Sequence, residues 1–298
     1  MRTIACGIIL AIGQLVGPVT GAGQVPPETF SLKISAGYSR AGWGDMNKAE
    51  EGHNARFEDL ARLWGFARTG EVALPHEGLD FGAEILVRIT PRLDVGLGGG
   101  GFIRPIKESE ITISQALGGA RSLLRWTASA TVIPLTLNAY YRVPLSSRIS
   151  GFLKGGLGCA FARLKLTSYR ESELLGIQTW SRQEGRGWDY AAGFQAGLGL
   201  EYEISKALSC FFEGAWRFAN FKNWTFEYTY TAATDSDVLR TASGWATEQL
   251  SPDTGEYYPA FFYSDHVVES GSFRNVRKAE IDFSGWNLQA GLRIKLGR

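Results

Sequence analysis

The sequence has almost no excess charge of either sign, and it contains few cysteines and histidines. Its 298 residues include 31 Lys and Arg against 30 Asp and Glu, which gives a formal net charge of +1. A protein that binds nucleic acid through bulk electrostatics carries a large positive excess, so this class is excluded. Three cysteines exclude a disulfide scaffold, and three histidines leave little material for a zinc site. We therefore expect no metal and no nucleic-acid partner.

Long hydrophobic runs are also missing beyond the first part of the chain. Arg2 precedes an apolar run at residues 4–16, which Pro18 breaks before a group of small residues. This order predicts a secretory signal peptide at residues 1–22, with an N-terminal membrane anchor as the alternative. No later segment has the run of about 18 apolar residues that a membrane helix needs. Residues 23–298 are therefore predicted to form either a soluble protein of an oxidising compartment or an outer-membrane β-barrel.

Apolar and polar residues alternate repeatedly along this second part. A period of two is the strand period. The alternating stretches are 30–38, 80–89, 93–103, 133–142, 153–161, 190–203, 208–218 and 286–296. The short connections between them are 90–93, 144–149 and 205–208. The long connections are about 39–78, 104–122, 167–187 and 225–279. Because strands joined by short turns pair with each other, we expect four hairpins with every long loop on one side.

An even number of strands, with short turns at one end and long loops at the other, is typical of outer-membrane barrels. In hydrocarbon every backbone N–H and C=O has to pair within the protein, and a closed barrel achieves this without free edges. We predict an all-β fold, a single eight-stranded antiparallel transmembrane up-and-down β-barrel with long extracellular loops, over residues 23–298. The alternative is a soluble β-sandwich whose charged face meets water.

The two faces of the predicted strands differ in chemistry. The polar face is expected to line a narrow lumen, where charges pair across the barrel and fill it. The predicted lumen charge network is Lys33, Glu84, Arg88, Arg142, Lys154, Glu201, Glu213, Arg217 and Arg293. The apolar face has aromatic residues near the strand ends, as interfacial girdles do. The predicted aromatic girdle is Tyr38, Phe81, Tyr141, Phe152, Tyr190, Tyr202, Trp216 and Trp286.

Three stretches of the predicted strands, at residues 81–101, 133–163 and 192–214, make the chain resemble a known family. It resembles the eight-stranded outer-membrane proteins of the OmpA, OmpX, OmpW and opacity-protein type. The likeness is one of pattern across the chain after the predicted signal peptide, and no single motif is diagnostic. It implies insertion in a bacterial outer membrane, surface loops and usually no catalysis. Proteins of this type adhere to hosts, resist serum, pass small hydrophobic solutes or brace the envelope.

One motif formally matches a dinucleotide-binding fingerprint, at Gly96, Gly98 and Gly101. That fingerprint requires a strand before it and a helix after it. Here the alternation continues to Ile103 and is followed by Arg104. We therefore interpret these glycines as close packing in a barrel wall and expect no cofactor.

Two histidines are the candidates for catalysis. Ser264, Asp265 and His266 have the composition of a triad, but neighbours in an extended chain point to opposite sides and cannot form one alone. His76, at the mouth of the second predicted strand, and His266 would be general bases if the protein were a rim hydrolase of lipid A or peptides. The favoured interpretation is that both are solvated loop histidines, and no catalytic residue is expected.

Cys159 and Cys210 lie on the fifth and seventh predicted strands. Two strand spacings amount to about 9–10 Å, beyond the roughly 7 Å that a disulfide spans. We therefore predict two free cysteines that face lipid.

The long connections contain two further patterns. In the first, Phe57, Leu60 and Trp64 share one face of a helix that Asn54 would cap. This helix is expected to lie on the membrane surface, to cover the barrel mouth or simply to pack within the loop. The last connection is rich in aromatic residues, which suit contact with a protein or glycan, or strands that extend beyond the membrane. They are Trp224, Phe226, Tyr228, Tyr230, Trp245, Tyr257, Tyr258, Phe261, Phe262 and Tyr263.

The favoured function is a non-enzymatic outer-membrane barrel with an envelope structural or surface-contact role in its loops. Its expected partners are outer-membrane lipid and a surface protein or glycan. The alternative is a narrow channel for small hydrophobic solutes, suggested by the apolar lumen positions Leu86, Phe102 and Phe211. A rim hydrolase is the third hypothesis.

Overall fold

The computed structural model describes residues 30–115, 120–174, 177–233, 235–252, 254–264 and 271–296. The predicted signal peptide, Asp265 and His266 lie outside the described residues. The first elements are β1 (Phe30–Ala41), α1 (Asp45–Trp64), β2 (Ala67–Glu71), β3 (Glu77–Thr90), β4 (Leu93–Ser114), β5 (Arg121–Pro144) and β6 (Ile149–Leu174). The others are β7 (Ile177–Ser205), β8 (Leu208–Phe221), β9 (Thr225–Ala232), β10 (Asp235–Leu250), β11 (Tyr257–Ser264), β12 (Phe273–Lys278), β13 (Ile281–Asp282) and β14 (Gly285–Leu296).

Eight strands form a closed ring with antiparallel neighbours throughout. Its order is β1, β3, β4, β5, β6, β7, β8 and β14, and β14 pairs with β1 to complete it. The connections β3–β4, β5–β6 and β7–β8 are short and lie at one end of the ring, which we call the turn end. The start of β1 and the end of β14 meet there, with Phe30 opposite Leu296. The all-β antiparallel prediction is confirmed, with a ring of eight strands.

Four of the ring strands continue far beyond it and form a second body, which we call the extension. Strands β4 to β7 have 22, 24, 26 and 29 residues, whereas β1, β3, β8 and β14 have 12 to 14. Beyond the ring, β2 pairs with β4, β9 pairs with β7, and β10 to β12 complete the sheet. The segments 104–122 and 167–187, expected to be loops, are therefore mostly paired strand.

The loop prediction failed because the apolar face changes sides where the ring meets the extension. Within the ring, β6 turns Leu153 outward and Lys154 inward. Further along the same strand, Leu164 is buried inside and Lys165 is exposed outside. If the apolar residues are expected at the outward positions only, the alternation ends at the boundary, although the strand itself continues. Trp126, out of phase with the ring part of β5, is an inward-facing residue of the extension.

Helix α1 packs against β11 of the extension and also contacts β2 and β4. It is longer than expected and runs between two glycines in the left-handed region, Gly44 and Gly65. A Cβ on Gly52 would stand 2.0 Å from the carbonyl oxygen of Pro259, so a glycine is required where the helix approaches β11. Phe57 is buried in the core of the extension, whereas Trp64 is exposed.

Asn54 does not cap the helix, because it lies in the middle of α1. Its side-chain amide donates to the carbonyl oxygen of Val72 and accepts from the Val72 N–H, both at 2.9 Å. The residue therefore fixes the segment after β2 to the helix. Within the described part of the chain, no helix is both long enough and apolar enough to span a bilayer.

Candidate functional site

The ring interior contains a network of ion pairs, which begins near the turn end around Asp94. Its carboxylate accepts from Arg88 at 3.2 Å, from Arg142 at 2.6 Å and from Arg293 at 2.7 Å. Arg142 continues to Glu201, also at 2.6 Å. Asp94 is fully buried. Such burial is tolerated because each charge has partners of opposite sign and good hydrogen-bond geometry.

The middle of the ring is organised around two glutamates. Glu213 pairs with Lys33 and with Lys154, the latter at 2.8 Å. Glu84 accepts from the hydroxyl of Tyr140 at 2.5 Å. Lys33 also donates to that hydroxyl at 3.2 Å, which joins the two glutamates into one network. Strands from opposite sides of the ring are thereby cross-linked through its centre.

Phe152 belongs to this interior and not to the girdle, so the prediction for that residue is wrong. It is 5% exposed, packs edge-on against Tyr140 with ring centroids 5.7 Å apart, and has the Lys33 ammonium 5.1 Å from its ring. The physical reason is the strand period, because Phe152 has the same parity as Lys154 and therefore points inward. Its neighbour Leu153 occupies the outer surface.

The interior nearest the extension is organised around Asp80. Its carboxylate accepts from Arg217 at 3.1 Å, from Asn287 at 3.3 Å and from Gln289 at 2.8 Å. Asp80 and Asp94 were absent from the predicted network, although they bind four of its arginines. Their parity relative to Glu84 in β3 and to the inward residues of β4 was the signal that would have found them.

Little space remains inside the ring. A cavity of about 60 Å³ lies between Asp80, Glu84 and Lys154. The apolar lumen positions Leu86, Phe102 and Phe211, which suggested a solute pathway, are 1%, 0% and 5% exposed and lie in packed clusters. Among the described residues, these three side chains therefore serve packing.

Glycines make the dense packing possible. A Cβ on Gly96 would stand 2.3 Å from Oε1 of Glu84, and one on Gly156 would stand 1.9 Å from Oδ1 of Asn138. Gly96, Gly98 and Gly101 lie within β4, which continues as strand to Ser114. The supposed dinucleotide fingerprint is therefore wall packing, as expected.

The outer surface of the ring is an apolar belt. Leu157 and Leu198 are 71% and 65% exposed on it. The other predicted girdle residues also lie outside, with exposures between 37% and 59%: Tyr38, Phe81, Tyr141, Tyr190, Tyr202, Trp216 and Trp286. Cys159 and Cys210 are both free, as predicted.

A basic cluster marks the edge of this belt where the extension begins. Arg163 and Lys165 of β6 face Trp188 and Arg186 of β7 across the strand pair. These side chains are exposed and line a groove of about 550 Å³, which also includes Glu227. The cations therefore follow directly on the aromatic residues of the belt.

His76, the candidate base at the rim, is partly buried and lies near several positive charges. Its pKa is lowered, first by burial and then by the positive charges of Arg104, Arg40 and Lys107. A hydrolase needs a nucleophile or a carboxylate beside such a base. The charges that act most strongly on the His76 ring are these cations, and the adjacent carboxylate, Glu77, interacts with the hydroxyl of Tyr38.

Comparisons with known proteins give only distant structural matches. No family model matches the chain, and no curated protein matches it. The outer membrane protein OprG from Pseudomonas aeruginosa is 11% identical, covers 91% of this chain and 98% of its own, and has a TM-score of 0.37. The outer membrane protease OmpT from Escherichia coli is 10% identical, and the match covers 93% of this chain and 100% of OmpT, with a TM-score of 0.29. These values are too low for either protein to indicate the activity of this chain.

Proposed function

We propose that the chain is a non-enzymatic bacterial outer-membrane β-barrel protein with an envelope structural or surface-contact role. The observation that carries this proposal is the arrangement of the ring, which is the reverse of that in a soluble protein: its outer surface is apolar and its interior is filled with paired charges. A soluble sandwich would bury its apolar face, whereas this ring exposes it. Exposed apolar surface on this scale requires a hydrocarbon environment or a partner that covers it.

The basic cluster supports a lipid partner and an orientation in which the extension lies outside the membrane. Arg163, Lys165 and Arg186 stand beside aromatic residues that suit the boundary between hydrocarbon and polar head groups. Cations at that depth attract the phosphates of anionic lipids. The extension would then lie outside the membrane, on the far side of the ring from the short turns.

The packed interior favours a structural or contact role over transport. The ion-pair network cross-links the ring, and a cavity of only about 60 Å³ lies between Asp80, Glu84 and Lys154. Most aromatic residues that suggested a contact surface pack together in the extension, including Phe226, Phe261 and Tyr263. The hairpin tip of β6 and β7 does expose Ile177 and Trp180, which are 69% and 39% accessible. We propose this tip as the contact surface for a protein or glycan.

Cell fractionation and gel mobility test the membrane proposal. The protein should appear in the outer-membrane fraction and shift in apparent mass when the detergent sample is boiled, because a closed barrel resists unfolding by detergent. Recovery as a soluble periplasmic protein without a shift would contradict the proposal. In planar bilayers the purified protein should show no conductance, and a steady conductance would contradict the filled interior.

Adherence of intact cells tests the contact role. Cells that express Ile177→Ser together with Trp180→Ser should bind less well to glycan-coated or protein-coated surfaces than cells with the wild type. Arg121→Gln, at the neighbouring hairpin tip, is the matched control. Equal adherence of all three, with equal amounts of folded protein, would leave only the structural role.

A further inference from the structure

A chamber of about 280 Å³ lies between α1 and the inner face of the extension. His53 and Arg56 of the helix form one wall, and strands β5, β6, β7, β10 and β11 form the others. Arg170 of β6 is exposed to solvent and also lines the neighbouring cavity, so it stands at the chamber mouth. The proposed function of the ring does not use this space.

The chamber has positive charge that the described residues do not neutralise. Neither Arg56 nor Arg170 forms an ion pair with any residue whose side chain is described, and Nε of Arg56 is buried without a hydrogen-bond partner. The nearest carboxylates along the helix are engaged elsewhere. Glu58 pairs with Arg62 and Arg68, and Asp59 accepts from the hydroxyl of Tyr258 at 2.6 Å.

The electrostatics of the chamber have the same sign throughout. Arg170 is partly removed from water by the chamber wall, and this loss of hydration, followed by the positive charge of Arg56, lowers its pKa. Burial, with smaller contributions from the two arginines, lowers the pKa of His53 to about 4. The imidazole is therefore neutral at physiological pH and adds a donor without further charge. Two like charges that face one cavity without a counter-charge are costly, and such groups concentrate where a ligand supplies the missing partner.

The remaining walls suit an organic molecule better than a bare ion. Trp126, Leu124, Leu166 and Phe261 provide apolar surface, and Trp126 meets His53 edge-on with ring centroids 5.5 Å apart. The hydroxyl-bearing residues Ser168 and Tyr263, with Gln183, provide polar groups. Pockets for drug-sized ligands start at about 300 Å³, so a chamber of about 280 Å³ is suited to a molecule smaller than these.

We propose that this chamber binds a small organic anion. Its carboxylate or phosphate group lies between Arg56 and Arg170, and its apolar part packs against Trp126 and Phe261. The chamber lies in the extension, so its binding of such a ligand does not depend on whether the ring is inserted in a membrane. The inference therefore goes beyond the proposed function and does not depend on it.

Calorimetric titration of the full folded chain in uncharged detergent tests the proposal. The probes are benzoate, phenyl phosphate and benzamide, which share an aromatic ring and differ in the charged group. Either anion should bind in a saturable way and benzamide at least about tenfold more weakly, because a charge-assisted hydrogen bond contributes roughly one power of ten or more. The stronger of the two anions identifies the carboxylate or the phosphate as the preferred group.

Two variants and a control assign the binding to this chamber. Arg56→Gln and Arg170→Gln should each weaken binding by about tenfold or more. Arg121→Gln, at the exposed start of β5 and outside the chamber lining, should leave it unchanged. The proposal is overturned if neither anion saturates the wild type, if benzamide binds as tightly as the anions, or if both arginine variants bind normally.

The stability of the empty protein distinguishes a binding role from a structural one. Arg56→Gln removes one of two facing like charges, so the extension of the ligand-free variant should unfold at the same or a higher temperature than the wild type. A lower unfolding temperature would mean that Arg56 has a structural partner and would count against the proposal. Arg170→Gln, at the exposed mouth, provides a binding test that does not depend on the packing around Arg56.

Discussion

The ring and the extension share four long strands, yet the apolar residues face outward in the ring and inward in the extension. In the ring, Leu198 and Leu157 face outward and Glu213 is buried inside. In the extension, Leu164 and Phe226 are buried inside and Lys165 faces outward. Backbone pairing is continuous across the boundary, with β6 and β7 matched residue by residue from one body into the other. The difference therefore lies in the side chains and the surroundings they require.

This comparison shows how one strand can continue through two bodies whose outer surfaces require different surroundings. A period of two assigns alternate residues to opposite faces, and only the choice of apolar face changes at the boundary. In the ring the interior is polar and the charges satisfy one another. In the extension the interior is an ordinary apolar core around α1. The paired charges of the ring should accordingly contribute more to stability than any ion pair of the extension.

The largest expected effect comes from removing one charge of the ring interior. Glu213→Gln leaves Lys33 and Lys154 without their carboxylate, and breaking a buried pair in this way costs about 3–5 kcal/mol. The matched control is Glu248→Gln in the extension, which breaks the exposed pair with Arg274 and should cost at most about 1 kcal/mol. Equilibrium folding into lipid vesicles measures both, and equal costs would contradict the comparison.

The second effect concerns the outer surfaces. Leu198→Arg places a cation in the apolar belt and should destabilise the protein by about 2–4 kcal/mol when it is folded into a bilayer. Ile177→Arg makes the same change at an equally exposed position of the extension and should have almost no effect. If both substitutions are tolerated equally in vesicles, the belt does not contact hydrocarbon.

The ring was predictable because its strands obey one simple period. The inward positions of Lys33, Arg142 and Arg293 follow directly from parity, and so does the error at Phe152, which was assigned by residue type instead of by its place in the strand. The partners of these charges were harder to predict. Asp80 and Asp94 become visible only when the carboxylates are counted on the inward face, since pairing across the ring joins residues far apart in sequence.

The extension was less predictable because its local signals conflict with those of the ring. The register of β4 and β5 shifts between Arg104 and Lys107, and this irregularity also hides the continuation of the strand. Asn54 has the residue type of a helix cap but is used for a tertiary contact with Val72. The chamber was not foreseen, because Arg56 and Arg170 lie on different elements and have no motif in common.

The third effect tests whether the contacts that hold α1 in place stabilise the extension alone or the ring as well. Asp45, in the first turn of the helix, pairs with Arg277 and accepts from the N–H of Glu280 at 2.8 Å. Because Arg277 is half-exposed, Asp45→Asn should cost about 1–2 kcal/mol, between the values for exposed and buried pairs. Unfolding of the extension should lose cooperativity with the ring, whereas the gel shift of the ring should remain. Loss of both together would mean that the two bodies fold as one.

The same pair predicts a pH dependence. Burial is the largest single influence and would raise the pKa of Asp45. The hydrogen bonds from Arg277 and from the N–H of Glu280, with the positive charges of Arg277 and Lys48, together outweigh it, and the pKa lies below its ordinary value of 3.8. A carboxyl with a depressed pKa stabilises the fold above its unfolded-state pKa, and this contribution is lost as the pH falls through the folded-state value. The stability of the extension should therefore fall below about pH 4 in the wild type. Asp45→Asn should show a smaller fall, and an identical acid profile would contradict the assignment.

The smallest effect locates the boundary between the two bodies. Lys165 stands in the basic cluster at the edge of the belt, whereas Arg121 lies at the far tip of the extension. A cation close to an anionic lipid surface contributes about 1 kcal/mol, and the attraction fades within a Debye length. The gain in stability on changing from zwitterionic to anionic vesicles should therefore fall by about this amount in Lys165→Gln, and it should disappear at high salt. Arg121→Gln should keep the full gain, and if the two variants behave alike, the plane of the lipid phosphates does not pass through the cluster.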